Sequence, residues 1–468
     1  MSPNLRTLHI ILEPDVDARS FRDFLTTLPD RCPELTKLHL DFTMSITALE
    51  PQICSMLTRL TRLKIIWLPA FCFSANVLRA LSSLRFLNEI SSKAFWGSRY
   101  FGLKEDVRDM DISLLPDDAF PALRNLDLEV SFASAQRLLA GPQISRSLNR
   151  LYISTIEEEP LKNLRQLLSF VSTEFTELTY LALTYLVKPN LAATNIEAVG
   201  GGGGVVGAVE NETVRQAQPE IDFDMLRPVL KLKKLTTFLF MYNQPITLTL
   251  EDIAAIGDAW RDSPLRHLRL TPDPVPNISG ETNGLAPAAI AELTKTGNTL
   301  ETLVELAKAL PNIEHLELYL DASKGLPDSL KAPEGVRFQK LHTLDIGTSP
   351  LPPSASAPTL TGDIAQFLST LVSHTPLTLA FQPGWSLSWS CVSADFDNVV
   401  LASRRRDWAK VGEMHARICK VRKECEEDVL KLRKEVGTRD EEIGRLQGEL
   451  VKVRRETGRD AWDLSVNA

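Results

Sequence analysis

Ten short stretches of this chain place an apolar residue at positions one, four and six. Side chains alternate between the two faces of a β-strand, so this spacing predicts strands that turn their last two apolar residues into a core. Its recurrence is typical of leucine-rich repeats. The stretches are LRTLHI (5–10), LTKLHL (35–40), LTRLKI (60–65), LRNLDL (123–128), LNRLYI (148–153), LTYLAL (178–183), LTTFLF (235–240), LRHLRL (265–270), IEHLEL (313–318) and LHTLDI (341–346). A poor copy begins at Leu84 and a weaker one, LTLAF, at Leu377.

The segments between these strands carry apolar residues at helical spacing, as in 21–28, 163–171 and 301–310. Several of them end at a proline, which cannot continue a helix, just before the next strand. We therefore predict an α/β fold over residues 1–400, a right-handed leucine-rich-repeat solenoid with parallel strands inside and helices outside. Two segments poor in periodic apolar residues, 188–220 and 349–361, are predicted to be disordered insertions.

Residues 401–456 have a different composition and are predicted to form one long amphipathic helix, followed by a disordered tail at 457–468. The apolar residues of this helix recur at alternating steps of three and four, with two consecutive four-residue steps at Val421, Cys425 and Val429. The narrow stripe favours a coiled coil between chains, and the alternative is a single helix folded back onto the solenoid. The predicted seam consists of Val411, Met414, Ile418, Val421, Val429, Leu432, Val436, Ile443, Leu446, Leu450 and Val453. Arg439 and three nearby glycines weaken its distal half.

Residues that alternate with the core positions of each strand are predicted to point outward, onto a concave binding face. By this alignment the face is basic at its N-terminal end, aromatic in the middle and acidic at its C-terminal end. The residue types suited to binding a protein partner are Lys37, Arg62, Lys64, Arg150, Tyr152 and Tyr180. The alternative for each of them is an ordinary solvated strand residue.

No pattern in the sequence indicates catalysis, and we expect no cofactor and no metal. GGGVVG (202–207) matches a dinucleotide-binding pattern, but it lies in a low-complexity insertion and not between a strand and a helix. His9 and His39 occupy the same position of consecutive repeats, where Lys64 is aligned next and would repel a cation. Trp385 and Trp389 are expected to cover the end of the core.

Charge and cysteine content narrow the partners and the compartment. The net charge is −8, and residues 401–468 carry 17 Lys and Arg against 14 Asp and Glu, so residues 1–400 sum to −11. So acidic a repeat region argues against nucleic acid as a partner. The six cysteines form no CxxC pair, no signal peptide is evident, and no apolar stretch is long enough to span a membrane. We expect a protein of the cytoplasm or nucleus that contacts no membrane.

The recurrent unit of helix, proline and strand in LPDRCPELTKLHL and ALPNIEHLELYL, together with the irregular insertions, resembles fungal F-box/leucine-rich-repeat proteins of the basidiomycete type. It is also similar to the ribonuclease-inhibitor-like horseshoe. The resemblance covers roughly residues 1–400 and implies the substrate-recognition region of a ubiquitin-ligase receptor. We expect no F-box within this chain, because its first repeat opens at Leu5. We accordingly expect the first strand to lie uncovered at the end of the sheet, and the natural product to extend upstream.

The sequence thus predicts a non-enzymatic protein-binding module, most specifically the recognition region of an F-box-type receptor. The alternative is a leucine-rich-repeat scaffold that dimerises through its C-terminal coiled coil and has no ubiquitin role. The expected partners are a protein on the solenoid face and, through the C-terminal helix, a homo- or hetero-oligomer.

Overall fold

A computed structural model describes most of the solenoid and the C-terminal helix. The described residues are 2–12, 16–42, 44–92, 115–116, 119–141, 144, 146, 148–155, 159–185, 221–242, 244–270, 296–323, 326, 335–347, 349–351, 359–372, 377–380 and 399–456. The insertion at 188–220, most of the one at 349–361, the glycine pattern, Trp385, Trp389 and the tail 457–468 lie outside them.

In this part of the chain twelve parallel strands form one sheet, and each pairs with the next in chain order. They are β1 (Thr7–Ile11), β2 (Lys37–Asp41), β3 (Ile65–Trp67), β4 (Glu89–Ser91), β5 (Asn125–Glu129), β6 (Arg150–Thr155), β7 (Tyr180–Tyr185), β8 (Thr237–Tyr242), β9 (His267–Leu270), β10 (His315–Leu318), β11 (Thr343–Asp345) and β12 (Thr378–Ala380). Every strand corresponds to one of the predicted copies, including the weak ones, so the predicted fold is confirmed.

Helices connect most of these strands. They are α1 (Ala18–Arg31), α2 (Glu50–Arg59), α3 (Ala75–Ser82), α4 (Phe132–Ala140), α5 (Leu161–Glu174), α6 (Leu250–Trp260), α7 (Leu300–Ala309), α8 (Leu360–Leu371) and the C-terminal α9 (Val399–Glu456). Between β7 and β8 the described residues include the short 3-10 helices Phe223–Met225 and Arg227–Lys231, and the second packs between α5 and α6.

One continuous core lies between the sheet and the helices. In β2, for example, Leu38 and Leu40 point into this core together with Leu25 and Leu28 of α1, and all four side chains are at most 1% exposed. Strands stack about 4.8 Å apart whereas helices need about 10 Å, so the sheet lines the inner, concave side of the solenoid.

The register of β3 and β4 differs from the predicted one by three residues. Leu38 pairs with Ile66, so the third repeat places Leu63, Ile66 and Leu68 where Leu60, Leu63 and Ile65 were expected. Leu60 is itself fully buried at the turn before the strand, and L-x-x-L therefore fits the sequence twice. The same three-residue shift places Ile90 of β4 beside Ile66.

The two ends of the solenoid differ in how far other elements cover the core. Strand β1 lies at the edge of the sheet, where Leu8 is only half-buried and Ile11 is 51% exposed. This confirms the predicted position of the first strand among the described residues. At the opposite end α9 packs along α8 and against β12, so it takes the place of a further repeat. A terminal layer of this kind shields the core of the last repeat.

Helix α9 has two halves with different surroundings. Trp408, Val411 and His415 are fully buried against the last repeat, and the indole Nε1 of Trp408 donates a hydrogen bond to the Ser349 carbonyl at 2.8 Å. The guanidinium of Arg422 donates to the carbonyl and hydroxyl of Ser369 near the end of α8. From 423 to 455 every residue is exposed. The boundary predicted near residue 400 thus falls at the start of α9, but the helix belongs to the packed body as far as Arg422.

The prediction of one intermolecular seam is therefore wrong for its first residues. Val411 is buried in the solenoid core, and Ile418 packs against that core. Met414 is 38% exposed, and its Sδ lies beside Gly362 of α8. The fold-back alternative describes α9 up to Arg422, whereas the rest of the seam, from Val421 onward, is exposed.

Candidate partner-binding surfaces

The side of the sheet opposite the helices carries three rows of side chains, set by the strand register. The first row runs Thr7, Lys37, Ile65, Glu89, Asn125, Arg150, Tyr180, Thr237, His267, His315 and Thr343. The second runs His9, His39, Trp67, Ser91, Asp127, Tyr152, Ala182, Leu239, Arg269, Glu317 and Asp345. The third includes Ile11, Asp41, Glu129, Ser154, Thr184 and Met241. We call this surface the open face.

Four of the six predicted partner-binding residues lie on the open face, namely Lys37, Arg150, Tyr152 and Tyr180. The placement of Arg62 and Lys64 there is wrong, because the three-residue shift puts both before β3. Arg62 lies in a turn and forms an ion pair with Glu34. The two positions attributed to the third repeat belong instead to Ile65 and Trp67.

This correction removes the predicted gradient of charge. Lys37 is the first-row cation at the N-terminal end, and Glu89 follows it two strands later. Asp127 and Glu129 extend this acidic section as far as Arg150, so a group of acidic side chains lies between two basic ones. Neither end of the face is uniformly of one sign.

Aromatic side chains stack across the first three strands. The rings of His9 and His39 are parallel, with centroids 3.9 Å apart, and His39 meets Trp67 edge-on at 5.0 Å. Burial, reinforced by His9, lowers the pKa of His39 to about 4. His39 is therefore neutral at physiological pH. The shared repeat position of His9 and His39 thus places their rings side by side on β1 and β2. Among the described residues no group of three metal-ligating side chains occurs around them or elsewhere.

Glu89 links the aromatic section to the next strands. One carboxylate oxygen accepts a hydrogen bond from Trp67 Nε1 at 2.8 Å, and the other accepts from Asn125 Nδ2 at 3.2 Å. In the row behind it, the Ser91 hydroxyl donates to Asp127 at 3.1 Å. These bonds hold side chains of three consecutive strands in one arrangement.

The middle of the open face is built around Tyr180. Arg150 of the neighbouring strand places its guanidinium carbon 4.2 Å from the centre of the Tyr180 ring, a cation–π contact. Burial raises the pKa of Tyr180 to about 12 although Arg150 opposes the shift, so the phenol stays neutral. On the neighbouring strand β8, Leu239 and Met241 lie level with Ala182 and Thr184 and are half-buried, so they continue the surface along the strands from Tyr180. We call Arg150, Tyr180, Leu239 and Met241 the central patch.

Glu317 organises the C-terminal section. It accepts a hydrogen bond from His267 Nε2 at 2.7 Å and pairs with Arg269 Nε at 3.1 Å. Burial alone would raise the pKa of Glu317, but His267 and Arg269 outweigh burial and lower it. Both Glu317 and Arg269 are less than 10% exposed, so this ion pair lies within the face and not above it.

Sequence reasoning missed Trp67, Glu89, Arg269 and Glu317 as parts of the site. The signal for the first two is present, since Leu63, Ile66 and Leu68 fit the repeat pattern as well as the predicted alignment does. Arg269 and Glu317 were aligned correctly, but nothing in the sequence indicates that residues 48 positions apart form an ion pair.

The distal half of α9 presents a second surface. Seven apolar residues are between 48% and 59% exposed, although they share one stripe of the helix: Val429, Leu432, Val436, Ile443, Leu446, Leu450 and Val453. We call this stripe the distal ridge. None of the helices in the described ranges is long and apolar enough to cross a membrane.

No known family model matches the chain, and no curated protein matches it. It is similar in structure to the leucine-rich repeat-containing protein LegL7 from Legionella pneumophila, at 13% sequence identity and a TM-score of 0.34, over 66% of this chain and 82% of that one. A likeness of this size says nothing about what either protein binds. The resemblance to fungal F-box proteins gains no support from these comparisons.

Proposed function

We propose that the chain is a non-enzymatic protein-binding module that holds its partner on the open face, at the central patch. The observation that carries the proposal is the contact between Arg150 and Tyr180. It holds a cation and an aromatic ring in a fixed arrangement on a rigid sheet before any partner arrives. Side chains ordered in advance lose less conformational entropy on binding, and Arg and Tyr are enriched among residues that dominate interface energies.

The chemistry of the central patch favours a partner segment that combines a carboxylate with several apolar side chains. The carboxylate would pair with Arg150, whose planar guanidinium suits bidentate contacts. Apolar side chains along the segment would cover Tyr180, Leu239 and Met241, which are neither fully buried nor charged.

Affinity enrichment with matched variants tests this proposal. The chain serves as bait beside Arg150→Glu/Tyr180→Ala, which removes the patch, and beside Arg165→Glu/Phe86→Ala, which makes the same two kinds of change away from it. Arg165 and Phe86 are both exposed. We expect a set of proteins that the unmodified chain and the control retain and that the patch variant loses. Equal retention by all three baits would contradict the proposal.

The narrower role in ubiquitin ligation rests on the resemblance of the repeats alone. It predicts that the partner becomes more abundant in cells when the chain is depleted. A partner whose abundance and ubiquitination do not change would leave the binding function intact and remove the ligase role.

A second candidate function is a scaffold that self-associates through α9. The observation in its favour is the distal ridge, because such a run of exposed apolar residues on one helix face marks an interaction surface. This function is compatible with the first, since the ridge and the open face belong to different elements.

A further inference from the structure

The residues of the distal ridge follow an unbroken heptad. From Val429 the steps alternate three and four, which places Val429, Val436, Ile443 and Leu450 at the a positions of a coiled coil. The d positions are Leu432, Arg439, Leu446 and Val453, and the exposed Cys425 occupies the d position one heptad earlier. Three of the four a residues are β-branched and two of the four d residues are leucine. This combination favours two parallel strands.

The charges beside the ridge distinguish the two possible directions of a partner helix. The g positions are all acidic, namely Asp428, Glu435, Glu442 and Glu449. In an antiparallel pair with the apolar layers in register, g positions face each other, so Glu442 would meet its own copy and Glu435 would meet Glu449. Each of these contacts is repulsive, and so is the contact of Asp440 with its copy at the e position.

In a parallel pair each g residue instead faces the e residue of the next heptad in the second copy. Asp428 then meets Arg433, and Glu449 meets Arg454, which gives opposite charges on both sides of the dimer. Glu442 meets the uncharged Gln447. The remaining contact, Glu435 with Asp440, joins like charges.

The contact between Glu435 and Asp440 lies beside Arg439, the one charged residue of the seam. Arg439 at d packs beside the e residue of the other helix, which is Asp440. Asp440 therefore faces Arg439 as well as Glu435 of the second copy, and the arginine offsets the repulsion. In register the two Arg439 residues share one d layer, where each lies beside Asp440 of the other copy. Sliding by a heptad would separate Arg439 from this counter-charge and place it among apolar residues, so the pair of charges also selects one register.

The described part of the solenoid leaves room for a second helix on this side. The residues of α9 that face the solenoid end at Arg422, which contacts Ser369 near the last turn of α8. The ridge begins just beyond, after the two four-residue steps at Val421, Cys425 and Val429. Helix α8 therefore covers the stripe only up to the place where the heptad starts.

We propose that the distal ridge binds the same ridge of a second copy of this chain, in a parallel, in-register, two-stranded coiled coil over residues 425–456. The proposal rests on the self-association stated above as the second candidate function, and it adds the stoichiometry, the direction and the register.

The first test measures the mass of the purified chain by light scattering at micromolar concentration. We expect twice the chain mass of 52.1 kDa. Leu432→Asp/Leu446→Asp should lower the mass twofold, because dimerisation of this variant would bury carboxylates in the seam. The matched control is Leu430→Asp/Val451→Asp, which changes two equally exposed apolar residues at b positions, outside the seam. The control should remain a dimer. A monomeric unmodified chain would overturn both self-association and the proposal.

The second test uses Cys425 to report direction and register. In a parallel, in-register pair the two Cys425 residues face each other, so oxidised glutathione should join them. The two thiols lose two protons and two electrons to the disulfide of oxidised glutathione, which becomes two molecules of glutathione. We expect a disulfide-linked dimer on a non-reducing gel that Cys425→Ser and Leu432→Asp/Leu446→Asp both abolish.

The two readouts separate the possible failures. A dimer by mass without a disulfide through Cys425 would overturn the parallel register while leaving self-association standing, since an antiparallel pair places the two cysteines at opposite ends. A mass of three chains would overturn the two-stranded arrangement.

Discussion

The guanidinium of Arg150 and the ring of Tyr180 lie on neighbouring strands, 4.2 Å apart, at the centre of the open face. A cation–π contact in a partly desolvated position contributes about 1 kcal/mol. We expect Tyr180→Leu and Arg150→Gln each to lower the free energy of unfolding, and the double variant to lose about 1 kcal/mol less than the sum of the two. Urea denaturation of the four proteins measures this coupling. Strict additivity would show that the two residues are only neighbours.

His39 should make the stability of the protein depend on pH. Its pKa of about 4 in the folded protein lies below the ordinary value of 6.5, so the unfolded chain binds a proton more readily. The stabilisation is complete above pH 6.5 and is lost as pH falls towards 4, by up to about 3 kcal/mol. We expect His39→Gln to lack this component. Urea midpoints of the unmodified chain and the variant at pH 7 and pH 4.5 separate the contribution of His39 from that of other titrating groups. An equal loss of stability in both proteins between the two pH values would contradict the assignment.

Trp408 should stabilise the C-terminal end of the solenoid. Its side chain is fully buried, and its indole donates a hydrogen bond to the Ser349 carbonyl. We expect Trp408→Ala to lower the free energy of unfolding by about 4 kcal/mol, since it leaves a large cavity. Trp408→Phe keeps most of the volume and loses only the hydrogen bond, so it should cost about 1 kcal/mol. Calorimetry of both variants measures the difference between these two losses of stability. If the alanine and phenylalanine variants lost the same free energy of unfolding, the volume of this buried side chain would contribute little.

Three glycines weaken the exposed half of α9. Nothing lies within 4 Å of a Cβ added at Gly437, Gly444 or Gly448, and a mid-helix glycine costs about 1 kcal/mol relative to alanine. We expect the triple alanine variant to gain helicity by circular dichroism and to melt at a higher temperature. Gly257→Ala is the control, because its Cβ would lie 3.1 Å from the Cβ of Ala309. An equal gain in the control would show that propensity alone does not explain the effect.

Much of the fold follows from the spacing of apolar residues, because buried side chains repeat with each strand. The same regularity caused the error at β3. Leu60, Leu63 and Ile66 are all buried, so three apolar residues at equal intervals leave two possible registers. Only the pairing of Leu38 with Ile66 distinguishes them, and that pairing depends on the length of the turn after α2.

The candidate surfaces were less predictable for a related reason. An outward position can be identified from alternation, but its partner lies on another strand, as His267 and Glu317 show. In α9 the apolar stripe runs through Val411 and Leu446 without a change of residue type, although one is buried on the solenoid and the other is exposed. The difference arises from where α8 stops, which no local pattern in α9 records.

The continuity of α9 has a mechanical consequence. Its 58 residues form one helix of about 87 Å, with no loop between the layer that closes the solenoid and the distal ridge. A partner that binds the distal ridge is therefore held at a fixed distance and angle from the sheet. Two chains joined through their distal ridges could not adjust the distance between their open faces as chains joined by flexible linkers do. They would favour targets that display two copies of a motif at one matching separation, where avidity multiplies a weak single contact.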